Sequence, residues 1–278
     1  SPSASYVFAE ERGGMGMDNG YIVFFDSGVG GLTLLAECAR RFPGEDYLYY
    51  GDNANAPYGG RSGEEILSLV RAAFGGICAA YPVRAAVIAC NTATAVCIDA
   101  LRAELPFPVV GVEPALRPAV RFAAGGEVLL LATRATLGSA RVGRLIASCG
   151  SAAIRPYCPG DLAGEIEKNI FRLSRVRPSL PGGQFAAAVL GCTHYVWLKD
   201  RISAALRCPV FDGNAGAVSR LAQVAGLRPE GEMSGTADHR GDKTNVCSEK
   251  VQKMPEKRPF FAGSSAKKNE KAFYRLIF

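Results

Sequence analysis

Ala85-Ala86-Val87-Ile88-Ala89-Cys90-Asn91-Thr92 decides the fold. A run of small and aliphatic residues with no polar interruption reads as a strand covered on both faces. That is the habit of a parallel sheet flanked by helices. The run stops at a thiol, and a helix is expected from about Ala93 to Glu104. A second stretch repeats the design: strand Ala186 to Leu190, turn Gly191-Cys192-Thr193-His194, then a helix from about Val196 to Leu206. The C-terminal ends of parallel strands border the ligand crevice of open α/β sheets. Cys90 and Cys192 are therefore expected to face such a crevice. A helix N-terminus beside each favours the thiolate, the reactive form.

The rest of the chain alternates in the same way. Strands are expected at Tyr21 to Phe25, Tyr47 to Tyr50, Val109 to Val112, Glu127 to Ala132 and Pro209 to Phe211. Helices are expected at Leu32 to Phe42, from Ser62, at about Leu137 to Cys149 and at about Gly216 to Ala225. Ser62 with Glu65 three residues on is a capping-box signature. The pattern predicts an α/β protein of two doubly wound, Rossmann-like or flavodoxin-like lobes related by a pseudo-twofold axis. Each lobe carries one cysteine loop, and the site lies in the cleft between them. Residues 21–112 with 209–278 form the first lobe and 113–208 the second. Residues 1–20 are expected to be a flexible extension. The polar stretch 228–256, rich in Gly, Lys and Glu, reads as a disordered loop.

Composition narrows the class. Of 278 residues, 48% are hydrophobic and 21% charged, which is a globular balance. No apolar run reaches the roughly 18–20 residues of a membrane span. The first twenty residues lack an apolar signal core, so a cytoplasmic location is expected. The nine cysteines are odd in number and scattered among apolar neighbours, which speaks against a disulfide framework. With no C-x-x-C pair and only His194 and His239 as histidines, no zinc site is expected. The net charge of +6 gathers toward the end, from Lys243 to Lys271. No aromatic residues are interleaved there in a nucleic-acid motif, so it reads as a solvated surface.

Three loops lie at strand ends. Asp26-Ser27-Gly28-Val29-Gly30-Gly31 permits a tight turn and a close approach to the backbone. It has neither the Gly-Lys-Ser/Thr of a P-loop nor the G-x-G-x-x-G spacing, because Thr33 stands at the last position. Asp26 reads equally as a ligand-binding carboxylate and as a helix cap. Gly51-Asp52 with Pro57-Tyr58-Gly59 reads as an ordinary connection, or as a loop whose backbone amides suit a carboxylate. Thr133-Arg134-Ala135-Thr136 offers two hydroxyls at a helix start, suited to a carboxylate or to capping.

Taken in order, these strings resemble glutamate racemase, a cofactor-independent enzyme of the aspartate/glutamate racemase superfamily. The resemblance runs from about Tyr21 to Ala225, with a weaker echo at Phe260-Phe261. It implies that Cys90 and Cys192 exchange the α-proton of glutamate on opposite faces, Cys90 serving D-glutamate and Cys192 L-glutamate. Asp26 is implied as the partner of the substrate ammonium and an aid to Cys90. His194 is implied to help Cys192 shed or regain its proton. Ser27, Asn91, Thr92, Thr193, Thr136 and Thr133, with Pro57 and the backbone amides of Tyr58 and Gly59, are implied to bind the substrate. No metal and no cofactor are implied. D- or L-glutamate is the expected small-molecule partner, with no nucleic acid and no membrane. A homodimer and a cell-wall-precursor activator are expected by analogy, and the product D-glutamate is destined for peptidoglycan.

An auxiliary acid near Cys192 is also implied. Glu167, after Cys158-Pro159, is the better match, and Glu165 competes with it. Val196 stands where the family usually has proline, and Gly51-Asp52-Asn53-Ala54 departs in detail. Three other readings stay open. A racemase for aspartate or another amino acid is separated by a substrate panel. A Cys192–His194 thiol hydrolase would form an acyl-enzyme, yet gives Cys90 no role. A non-catalytic amino-acid-binding module would bind glutamate without α-proton exchange.

Overall fold

Apolar continuity makes the strands here, and the alternation within each strand sends neighbouring residues to different cores. The computed structural model describes residues 6–10 and 20–229. In chain order the first half comprises β1 (Tyr6–Glu10), β2 (Tyr21–Asp26), α1 (Leu32–Arg41), β3 (Tyr47–Gly51), α2 (Gly63–Ala80), β4 (Val83–Ile88), α3 (Asn91–Glu104), β5 (Val109–Gly111) and α4 (Leu116–Ala123). The second half comprises β6 (Val128–Ala132), α5 (Arg134–Leu137), α6 (Ala140–Ala147), β7 (Ile154–Tyr157), α7 (Leu162–Lys168), β8 (Ala187–Gly191), α8 (Thr193–Val196), α9 (Lys199–Leu206), β9 (Val210–Asp212) and α10 (Asn214–Ala225).

Two sheets result, one per lobe. The first runs β1-β3-β2-β4-β5, with β1 antiparallel to β3 and the other pairs parallel. The second runs β7-β6-β8-β9 and is parallel throughout. β4 and β8, which end at the two cysteine loops, are interior strands of their sheets. Val23 and Phe25 of β2 face a core shared with α2 and α3, while Ile22 and Phe24 face the opposite one. That opposite core also contains Leu131 of β6, Leu190 of β8 and Leu198, so the two lobes are packed on one another. Among the described residues no helix is long and apolar enough to cross a membrane.

Several elements depart from the sequence reading. Tyr6–Glu10, expected within a flexible extension, pairs along β3 from Tyr6 opposite Gly51 to Glu10 opposite Tyr47. Val210–Asp212, expected with the first lobe, joins the second sheet beside β8, whereas α10 returns to pack on α1. β7 is an edge strand absent from the sequence reading. Pro156 weakens its strand signal, and only an edge position tolerates a residue with no backbone donor. The helix expected over 137–149 is two helices, because Ser139 caps a new start by accepting from the Val142 N–H. α3 begins at Asn91, two residues early, with Cys90 itself as the N-cap. The Ser62–Glu65 capping box is present as expected. The basic cluster, His239, the Phe260-Phe261 echo and nearly all of the 228–256 stretch lie outside the described residues.

Candidate active site

β2 delivers Asp26 to the end of the first sheet, where it is fully buried. One carboxylate oxygen accepts from the Gly28 N–H at 2.9 Å, and the other accepts from the Thr193 hydroxyl of the second lobe at 3.0 Å. The carboxylate therefore caps its own turn and reaches across the cleft. Burial pushes its pKa up, and the charge of His194 works in the opposite direction.

Cys90 lies at the end of β4 with its sulfur 3.4 Å from the Ala93 N–H and 3.5 Å from the Ser27 hydroxyl. The helix amide favours a thiolate, as the sequence implied. Burial and the Asp26 carboxylate outweigh it and push the thiol up to about 11. The Cys90 thiol thus keeps its proton at neutral pH, and Cys192 is close enough to add to the same effect.

The second half-site is built differently. Cys192 precedes the single turn α8, and both thiols are nearly buried, at 5% and 6% exposure for Cys90 and Cys192. His194 follows two residues later. Burial works against its cation, but hydrogen bonds to Cys192 and Glu167 prevail and hold it charged well above the usual imidazole range. Its Nε2 lies 2.6 Å from Glu167 Oε2. The same carboxylate accepts from the Val29 N–H at 3.0 Å and from the Asn53 side-chain amide, both in the first lobe. Glu165 is on the exposed side of α7. Two residues along a helix are a rotation of about 200°, so only one of the pair can face the cleft.

Thr92 from α3 meets Thr133 and Thr136 from the second lobe. The Thr92 hydroxyl is 3.0 Å from that of Thr133 and 3.1 Å from that of Thr136, and the latter two are 2.9 Å apart. Thr133 also caps α5 by accepting from the Thr136 N–H at 3.3 Å. Capping and cleft-facing roles thus coexist. Gly59 packs on Thr133, where a Cβ would come within 2.9 Å of the threonine Cβ.

The side chains of other residues implied as substrate contacts have further partners or surroundings. The Asn91 amide donates to the Val112 carbonyl at 3.1 Å and ties α3 to the inter-lobe crossing. The Tyr58 hydroxyl donates to Asp52 at 2.6 Å, with its ring in the core. Pro57 is exposed. Asn53, the Val29 amide and Trp197 are cleft residues that sequence reasoning gave no role. Asn53 follows the C-terminal end of β3, and that position is the signal that would have marked it.

Residues 27–221 match the family described as Asp/Glu/hydantoin racemase. The chain belongs to this family. The match spans both lobes and both cysteine loops. The chain is 38% identical over 220 residues to a glutamate racemase of Clostridium perfringens, covering 74% of this chain and 83% of that one. A glutamate racemase of Clostridium acetobutylicum is 37% identical over 218 residues, with coverage of 74% and 84%. Among solved structures, Escherichia coli glutamate racemase in complex with L-glutamate and the activator UDP-MurNAc-Ala superposes with a TM-score of 0.65 at 33% identity, covering 78% of this chain and 86% of that one. A glutamate racemase isoform of Bacillus anthracis gives 0.63 at 30% identity, with coverage of 73% and 80%. The two-lobed racemase fold is therefore shared; Cys90, Cys192, His194 and Glu167 lie within the matched span, and Asp26 immediately precedes it.

Proposed function

We propose that this chain is a glutamate racemase that inverts the α-carbon with two thiols. The observation that carries the reading is the pair Cys90 and Cys192, one at the end of each lobe's interior strand, in one buried cleft. Inversion needs a base on one face of the carbon and an acid on the other. Position and electrostatics must supply both, because the α-proton is weakly acidic.

With L-glutamate, the Cys192 thiolate takes the α-proton, and the Cys90 thiol delivers its own proton to the opposite face. Turnover leaves Cys192 as the thiol and Cys90 as the thiolate, which is the state that accepts D-glutamate. Burial and the Asp26 carboxylate beside Cys90 support a resting proton on Cys90, and His194 is the cation beside Cys192. Glu167 keeps His194 charged and oriented, Asp26 receives the substrate ammonium, and Thr92, Thr133 and Thr136 turn their hydroxyls to a substrate carboxylate. Ser27, Thr193 and the backbone amides at Tyr58 and Gly59 complete the donor set. No cofactor takes part. The product serves peptidoglycan synthesis in the cytoplasm. A homodimer and activation by a cell-wall precursor complete the proposal, the latter supported by the activator in the Escherichia coli relative.

Incubation of L-glutamate in D₂O without added cofactor tests it. Optical rotation should decay to zero while deuterium enters the α-position, followed by circular dichroism and proton NMR. A folded, reduced protein that leaves L-glutamate unchanged would overturn the proposal.

The acidity of Cys90 sets the alkaline limb. A thiol raised to about 11 stays protonated through neutral pH and is lost only as pH approaches that value. Free-enzyme groups govern the pH profile of kcat/KM. With the titration of the substrate ammonium divided out, the alkaline decline of kcat/KM for L-glutamate should come only as pH nears 11. A decline centred near pH 8 contradicts the assignment of Cys90 as the resting acid.

A further inference from the structure

Val29 lies in the first lobe's glycine loop, yet the second lobe reaches both of its backbone polar groups. Its N–H donates to Glu167 at 3.0 Å, and its carbonyl, which accepts from the Leu32 N–H at 3.3 Å, also accepts from the indole N–H of Trp197 at 3.3 Å. Trp197 sits between α8 and α9 and is the one tryptophan of the chain. The loop it grips begins with Asp26 and Ser27 and packs through Gly30 against His194. With Cys90 only 5% and Cys192 only 6% exposed, an amino acid reaches the two sulfurs only when the lobes part. Beside the Thr92 contacts to Thr133 and Thr136, parting breaks four bonds around the glycine loop and Glu167: Thr193 to Asp26, Asn53 to Glu167, Val29 to Glu167 and Trp197 to Val29. The first three involve groups assigned to the proton transfer. The fourth does not.

We propose that Trp197 is a positioning residue, a latch whose indole N–H fastens the glycine loop and so favours the closed, assembled cleft. The proposal rests on the racemase reading. A latch changes the population of the competent state and not the chemistry within it, and apparent affinity scales with that population. Removing one net hydrogen bond should weaken apparent affinity about three- to tenfold.

Trp197→Phe keeps an aromatic ring and removes the donor. KM should rise by that factor for both enantiomers, with kcat within about twofold of wild type. Because the equilibrium constant between enantiomers is one, kcat/KM must fall equally in both directions. Simple disordering of the Cys192 turn would instead lower kcat with little change in KM, and either that result or an unchanged KM overturns the latch. A second measurement needs no variant and no turnover. The single indole N–H of the ¹⁵N-labelled protein should exchange with D₂O at least about twofold more slowly than free indole. Exchange at the free rate overturns the proposal. Wild-type protein that fails to racemise glutamate removes the racemase reading, while the exchange measurement still decides the latch.

Discussion

Cys90→Ala and Cys192→Ala should each lower racemisation of both enantiomers by about 10³-fold or more, the upper part of the range for an acid–base group. Each direction uses one sulfur as base and the other as acid, so loss of either stops inversion both ways. The two variants should differ in what survives. Cys90→Ala keeps the Cys192 base and should exchange the α-proton of L-glutamate with solvent without forming the D enantiomer. Cys192→Ala should do the reverse with D-glutamate. Proton NMR in D₂O reads exchange and circular dichroism reads inversion on the same sample. Turnover above a tenth of wild type in either variant would remove the two-thiol assignment. Both thiols are small buried groups, so the melting temperature should move by only a few degrees.

Gly30→Ala is expected to have the next largest effect, about 10²-fold on kcat/KM, without touching an acid–base group. A Cβ at this position would lie 2.6 Å from His194 Nδ1, 2.6 Å from the Thr193 hydroxyl and 2.7 Å from the His194 backbone nitrogen. The backbone atom cannot swing aside, so α8 must shift and carry Cys192 and His194 with it. A displacement near 1 Å at reacting groups costs about this much. Gly44→Ala is the control, because a Cβ there meets nothing within 4 Å. Wild-type kinetics in Gly30→Ala would show that the second half-site tolerates such a shift.

The Gly30 contact also shows where the sequence stops being informative. Gly28 and Gly30 can be read from sequence as residues that admit something close to the backbone. Here that something is the other lobe: a Cβ on Gly28 would strike a Glu167 oxygen, and one on Gly30 would strike α8. No local pattern names a partner more than a hundred residues away. The same holds for the auxiliary acid. Glu165 and Glu167 are equivalent by composition, and only the rotation of α7 against the first lobe separates them.

By itself the sequence determined the α/β class, both cysteine-bearing strand ends, the Ser62 cap and the two-lobe division, because these follow from apolar runs and turn residues close together in the chain. Tertiary structure alone decided which sheet takes Val210–Asp212, that Tyr6–Glu10 pairs with β3, and that the Asn91 side-chain amide donates to the Val112 carbonyl. It also decided the acidity of Cys90. A helix amide favours the thiolate, but full burial beside Asp26 outweighs it. Desolvation and charge act through space, and they become defined only when the two lobes pack.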